Sequence, residues 1–154
     1  MKNVTKVERA SDRELVVTRI FDAPARFVYE AWTRADLFRK WWAPKSLGMP
    51  ILSCEMDVRT GGGYRLTFGT DASQSFSFFG RYIEVVPFSK LVWTNEETDG
   101  GSVTTVTFEE KDGRTLLILS ELYPSREALE ENLGAEEAMP EQFSQLDELL
   151  LTLH

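Results

Sequence analysis

The chain has 154 residues, enough for one domain with its own hydrophobic core. Hydrophobic residues make up 42% and aromatics 12%, a supply that suits a packed core or a lined pocket. A net charge of -8 sets the surface against phosphate backbones and anionic membranes, so no nucleic acid partner is expected; no apolar run approaches the roughly 18 residues of a span, so no membrane insertion is expected.

Residues 1 to about 12 are polar and aperiodic and read as a flexible N-terminus, followed by a single domain over 13–154. The opening MKNVTKVERASDRELVV lacks the apolar core of a signal peptide, so a cytoplasmic location is expected. ELVVTRIF, from Glu14 to Phe21, reads as a strand with Leu15, Val17 and Arg19 on one face and Val16, Thr18 and Ile20 on the other. Asp22 ahead of Pro24 reads as a capped helix start, and Phe27, Val28, Ala31 and Trp32 follow at helical spacing. A second short helix spans about Arg34 to Trp41, and Ala43-Pro44 stops it.

Six strands follow: Ile51–Arg59, Tyr64–Phe68, Phe76–Val86, Leu91–Asn95, Ser102–Glu109 and Arg114–Leu122. Gly61-Gly62-Gly63 and Lys111-Asp112-Gly113 supply turns, and Phe78-Phe79-Gly80 interrupts the alternation in the manner of a bulge. Ser125 caps a short helix that Gly134 would end. The last helix runs from about Glu136 to Leu153, with Pro140 in its first turns. Met139, Phe143, Leu146, Leu150 and Leu153 form its apolar stripe, Leu149 widens it, and Glu141, Gln145 and Glu148 take the solvent side. A lone amphipathic helix after an antiparallel meander must bury its stripe on the sheet.

Several strings resemble a known family: TRIFDAPARFVYEAWTRADLFRKWWAP at 18–44, RTGGGYR at 59–65, GRYIEVVPFSKLVWTNE at 80–96 and AMPEQFSQLDELL at 138–150. Together they look like the bacterial group named for the C-terminal domain of the activator of heat-shock protein 90 ATPase, within the START-like, or Bet v 1-like, superfamily. The resemblance covers about residues 13 to 153. It departs from the family where Ala138-Met139 replaces the Gly-Trp of many relatives, and the separate N-terminal chaperone-binding domain of the eukaryotic activator is not expected here. The resemblance implies an α+β helix-grip fold, a curved antiparallel sheet wrapped around a long C-terminal helix with two short helices after the first strand. The last strand should neighbour the first, the one place where the antiparallel rule is not expected to hold of itself: those two run parallel or antiparallel according to the topology. It also implies a central cavity of the kind that binds lipids, sterols or polyketides. A group name does not carry an activity with it.

The residues exclude much chemistry. One Cys and one terminal His, His154, leave no His-based triad and no His/Cys metal cluster. One Cys also leaves no internal disulfide, and Cys54 between Leu52 and Met56 reads as an inert thiol. RTGGGYR leads into no helix and reads as a tight turn, not a phosphate loop. Glu55, Asp57 and Arg59 read as a solvent face, with a catalytic carboxylate pair as the alternative. Of the adjacent Trp41 and Trp42, one plugs the core and the other gates an opening or contacts a partner.

The expected function is binding of a small hydrophobic molecule of the lipid, polyketide or aromatic metabolite class, without a cofactor. The expected cavity is walled by Phe143, Leu146 and Leu150 from the helix and by Met56, Leu66, Phe68, Phe78, Trp93 and Phe108 from the sheet, with Trp42 near its opening. The alternatives are a cofactor-free lyase or cyclase in the same cavity, and a co-chaperone-like regulator with a protein partner. A monomer or homodimer is expected.

Overall fold

The computed structural model describes residues 5–43, 45–47, 51–71, 74–96, 101–131 and 133–153. Its strands are β1 (Lys6–Arg9), β2 (Glu14–Phe21), β3 (Ile51–Met56), β4 (Gly63–Asp71), β5 (Gln74–Val86), β6 (Lys90–Thr94), β7 (Val103–Lys111) and β8 (Arg114–Leu122). Its α-helices are α1 (Ala25–Thr33), α2 (Ala35–Trp41), α3 (Arg126–Glu131) and α4 (Leu133–Leu150).

Among the described residues the strands form one eight-stranded sheet in the order β1-β2-β8-β7-β6-β5-β4-β3. Six strands joined in series alternate in direction, so β8 opposes β3. The α1–α2 connection returns the chain so that β3 runs in the sense of β2, and β8 therefore meets β2 antiparallel, with Glu14 opposite Leu122 and Phe21 opposite Thr115. The junction of β8 with β2 is no exception to the antiparallel sheet. Lys6–Arg9, within the stretch expected to be loose, pairs with β2 as an edge strand whose alternating charges discourage further pairing.

The pleat sorts the strands as the alternation requires. Leu15, Val17 and Arg19 face inward on β2, and Ile20 is left exposed on the other side. On β5 the irregularity lies between Tyr82 and Glu84, not at Phe78-Phe79-Gly80, where the pairing with β4 is regular. Phe79 is apolar for a different reason: it lies on the outer face beneath the Arg65 guanidinium, 4.7 Å from its ring centre. Gly80 is glycine because a Cβ there would meet the Thr94 carbonyl oxygen at 1.8 Å. Asp112 and Gly113 both hold positive φ, making the two-residue β7–β8 turn. The glycine-rich turn before β4 is also a tight turn, with Gly61 at φ 89°.

Distant side chains finish the helices. Asp22 does not cap α1; it pairs with Arg114 at 2.7 Å. The Glu110 carboxylate takes the cap role from β7, accepting the Ala25 N–H at 2.8 Å and placing negative charge at the helix N-terminus. Ser125 caps α3 as expected, its hydroxyl accepting the Ala128 N–H. α4 starts earlier than the pattern suggested: Gly134 lies within it, and Pro140 sits in its interior instead of its first turns. Leu153 lies beyond its end.

Candidate functional site

The concave face of the sheet has a closed half and an open half. α4 packs against β2, α1 and α2 and closes the first. Met139, Phe143, Leu146 and Leu150 are buried there in one core with Val17, Phe21, Leu117 and Leu119. The Phe143 ring stands edge-on to Phe21 at 5.5 Å and is fully enclosed. Arg19, also inward and buried, donates to Asp147 of α4 and to the Thr5 hydroxyl, tying helix to sheet. Burial pushes the Asp147 carboxyl above its ordinary value; Arg19 opposes the shift without reversing it, and Asp22 adds to it.

Four polar side chains of α4 and its neighbour segment do further work. Gln145, expected on the solvent side, is buried: its amide donates to the carbonyls of Trp41 and Ala43 at 2.8 and 2.9 Å and accepts the Lys45 N–H. Gln142 donates to the Trp42 carbonyl. Glu141 accepts the Ser46 N–H and hydroxyl. The carbonyls that end α2 are orphans of helix geometry, and α4 satisfies them.

At the centre stands Trp32 of α1, buried among Phe38, Trp41, Trp42, Trp93, Phe108 and Phe143. Trp41 is the plug, fully buried, its indole N–H donating to the Ala31 carbonyl at 2.9 Å. Trp42 is half-buried and stacks on Phe38 at 4.9 Å. Among the described residues the buried Trp32 N–H has no hydrogen-bond partner, and neither has the buried Arg19 Nε.

The open half lies toward the tip of the β4–β5 hairpin. Phe76 and Phe78 are opposite Phe68 and Leu66, on the same inward face. Leu66 and Phe68 are buried, yet Phe76 is 42% exposed and Phe78 36%. The three Phe rings pack on one another at 5.4–5.6 Å. Met56, Tyr64 and Trp93 are half-buried beside the core. An open cleft of about 420 Å³ runs over the β3–β4 edge at Met56 and Tyr64, with Glu55, Asp57 and Arg65 on its outer side.

Polar groups cross the concave face. The Glu121 carboxyl accepts the Tyr123 and Thr104 hydroxyls; Asn95 donates to Thr104; Tyr64 donates to Asn95 and to the Thr94 carbonyl. Burial pushes Glu121 above its ordinary value despite those two hydroxyls. Tyr82, opposite Trp93, is 4% exposed, and burial pushes its phenol well up, with Cys54, Tyr29 and Asp57 nearby adding to the effect. Burial also raises the Cys54 thiol, against the Arg39 charge, as an inert thiol requires; the residue is half-buried. Glu55, Asp57 and Arg59 are exposed, with Asp57 and Arg59 paired at 2.9 Å, so they form the solvent face.

Of the residues expected to wall a cavity, Leu66, Phe68, Phe108, Phe143, Leu146 and Leu150 share one buried core, and Trp42, Met56 and Trp93 pack on it. Phe78 stands apart, against Phe68 and Phe76 at the open end. All six strand residues lie on the inward face. Trp32, Tyr29, Tyr82 and Glu121 were missed. The signal for Arg19 was present, since alternation puts it on the Leu15 and Val17 face. Among the described residues no cluster of His, Cys, Asp and Glu is placed to hold a metal ion, and no helix is long and apolar enough to cross a membrane. His154 and Pro44 lie outside the described residues.

A curved antiparallel sheet closed by one long C-terminal helix, with two short helices between β2 and β3, is the Bet v 1-like helix-grip fold. The chain is similar over 97% of its length to a Rhodobacter sphaeroides protein, itself covered over 99%, with TM-score 0.88 and 22% identity. It is similar to a Mycobacterium smegmatis protein at TM-score 0.83 and 25% identity, covering 98% and 99% of the two chains. An AHSA1-like protein from Aeromonas hydrophila matches at TM-score 0.72 and 18% identity, over 90% of this chain and 96% of that one. No curated protein matches. The family model for Activator of Hsp90 ATPase homolog 1-like protein matches residues 22–151, and the chain belongs to that family.

Proposed function

We propose that this protein binds a small, largely apolar molecule on the concave face of its sheet, at the open β4–β5 end. The observation that carries the reading is the pair Phe76 and Phe78, exposed on the inward pleat directly beside buried Leu66 and Phe68. A folded chain leaves large aromatics on an inward face where something else covers them. The fully enclosed Phe143 and Leu146 contact neighbours on all sides, so the ligand's place lies among the half-buried Met56, Tyr64 and Trp93 and the exposed Phe78.

The neutral fluorescent probe N-phenyl-1-naphthylamine tests this. It should bind with one-to-one stoichiometry and rising emission, and Phe78→Ser should weaken it about tenfold, the loss of roughly one ring's burial. No binding up to the probe's solubility limit would refute the reading. A lyase or cyclase needs a free acid or base, and the inward carboxyl of Glu121 already holds two hydroxyls. A protein-contact role draws on a separate patch, Ile83, Val86 and Phe88, exposed near the β5–β6 turn.

A further inference from the structure

The outer face of the sheet has two halves of different chemistry. The described helices all pack on the inner side: α1 through Tyr29 and Trp32 on Phe108, α4 through Phe143 on Phe21, α3 through Leu129 beside Leu15, and α2 between α4 and β3. A sheet covered on one side alone alternates apolar-in and polar-out. The β3–β5 half obeys that rule. Its outward positions include Ser53, Glu55, Arg65, Thr67 and Ser77, with the Thr67 and Ser77 hydroxyls 3.1 Å apart across the strands.

The half over β2, β8 and β7 does not. There Ile20 stands opposite Leu116, Thr18 opposite Ile118 and Val16 opposite Ser120, all turned away from the core. On the other flank of β8, Thr107 faces Ile118 and Val103 faces Leu122. Between Glu14 and Glu109, at the two ends, the outward side chains of these three strands carry no charge. The borders are neutralised in place: Lys6 pairs with Glu8 at 2.9 Å on one side and Lys90 with Glu84 at 3.0 Å on the other, and Glu14 accepts the Ser120 hydroxyl at 2.6 Å. Leu122 is 46% exposed and Ile20 39%. The run Leu116-Leu117-Ile118-Leu119 is apolar on both sides of the pleat, the pattern of a strand covered on both faces.

We propose that this outer surface is the contact between two copies of the chain, packed sheet against sheet about a two-fold axis near Ile118. Chains of net charge -8 repel one another, and here two copies meet with no like charges facing across the centre. The same lack of charge leaves the surface without the means to select a basic or acidic partner. Val92 of β6, opposite Thr105, adds a fourth strand. Four strands about 4.8 Å apart and about seven residues long cover about 450 Å², so two copies cover about 900 Å² between them, the low end of contacts that hold in solution. The dimer is therefore weak and reversible.

Sedimentation velocity of the full chain from about 2 to about 200 µM tests the contact. The wild type should pass from monomer to dimer with a midpoint near ~10 µM. Added salt should tighten the dimer, because it screens the repulsion between two acidic copies. Ile118→Lys at the centre should raise the dissociation constant at least about tenfold, since it brings like charges together across the axis. Leu122→Lys, at an exposed position where folding is not at stake, should weaken the dimer in the same direction. Thr67→Lys, outward on the polar half, should leave it unchanged. A wild type that stays monomeric throughout would overturn the proposal, whatever it binds on its concave face. So would dimers of both the Ile118 and Leu122 variants as tight as the parent's, or loss of the dimer in Thr67→Lys. A dimer loosened by salt would overturn it as well, since that requires ion pairs this surface lacks.

Discussion

Phe143 and Phe78 are both phenylalanines turned toward the concave face, yet one is fully enclosed and the other 36% exposed. Phe143 lies where α4, β2 and the aromatic cluster of α1 and α2 converge; Phe78 lies beyond the reach of that cover, with Phe68 and Phe76 as its ring partners among the described residues. Inward pleating is a local property of the strand, while enclosure depends on where one helix happens to cross the sheet. One face thus holds a packed core at one end and an exposed aromatic surface at the other.

A matched pair of truncations gives the sharpest measure of that contrast. Phe143→Ala should cost about 3–5 kcal/mol in urea denaturation, the range for a fully packed ring, whereas Phe78→Ala should cost under about 1 kcal/mol. Similar losses at both sites would erase the distinction between the halves. If Phe143→Ala carries its full cost and the parent also binds no apolar probe, the concave face is a core and the protein-contact role moves ahead.

A smaller effect is expected for the polar fastening of the closed half. Gln145→Ala leaves the Trp41 and Ala43 carbonyls without their donor and should cost about 1–3 kcal/mol by the same measurement. A value near zero would mean that water replaces the amide and that α4 is held by its apolar stripe alone.

The smallest effect is on pH. Glu121 and Asp147 are raised by burial, so between the ordinary carboxylate value and their raised values the folded chain binds more protons than the unfolded one, and stability falls as pH rises through that window. Glu96, held down by Thr94 and Arg81, and Glu141, held down by Ser46, act the other way: their stabilisation is present above the ordinary value and is lost as pH falls through the lowered one. The melting temperature should therefore peak at mildly acidic pH. Glu121→Gln should flatten the decline on the neutral side; an unchanged slope would remove Glu121 as its source.

The strands were legible because each reports on itself: alternation at Leu66 and Phe68, or Phe108, needs no knowledge of what lies opposite. Where polar residues were concerned, the pattern misled for one reason. Periodicity equates a polar side chain with solvent, and Gln145 is polar because its partners are backbone groups far along the chain; alternation did place Arg19 with Leu15 and Val17, and Glu110 lay just outside the expected strand. Gln145 meets Trp41 across 104 residues and Glu110 meets Ala25 across 85. The expected bulge failed similarly, since Phe79 and Gly80 answer to Arg65 and Thr94, not to their own strand. The Trp32 indole N–H, buried without a partner among the described residues, leaves no trace in a linear pattern at all.

The sheet order bears on how such a chain comes into being. β2 has only β1 and β8 for neighbours, so an early strand waits for one near the end of the chain, and the helix that covers the face emerges later still. During synthesis the aromatic surface is assembled strand by strand and stays uncovered until α4 has left the ribosome. The carbonyls at the end of α2 wait equally long for Gln142 and Gln145. A nascent chain stalled before α4 would present the whole concave face, the state in which the protein itself most resembles a client of the folding machinery.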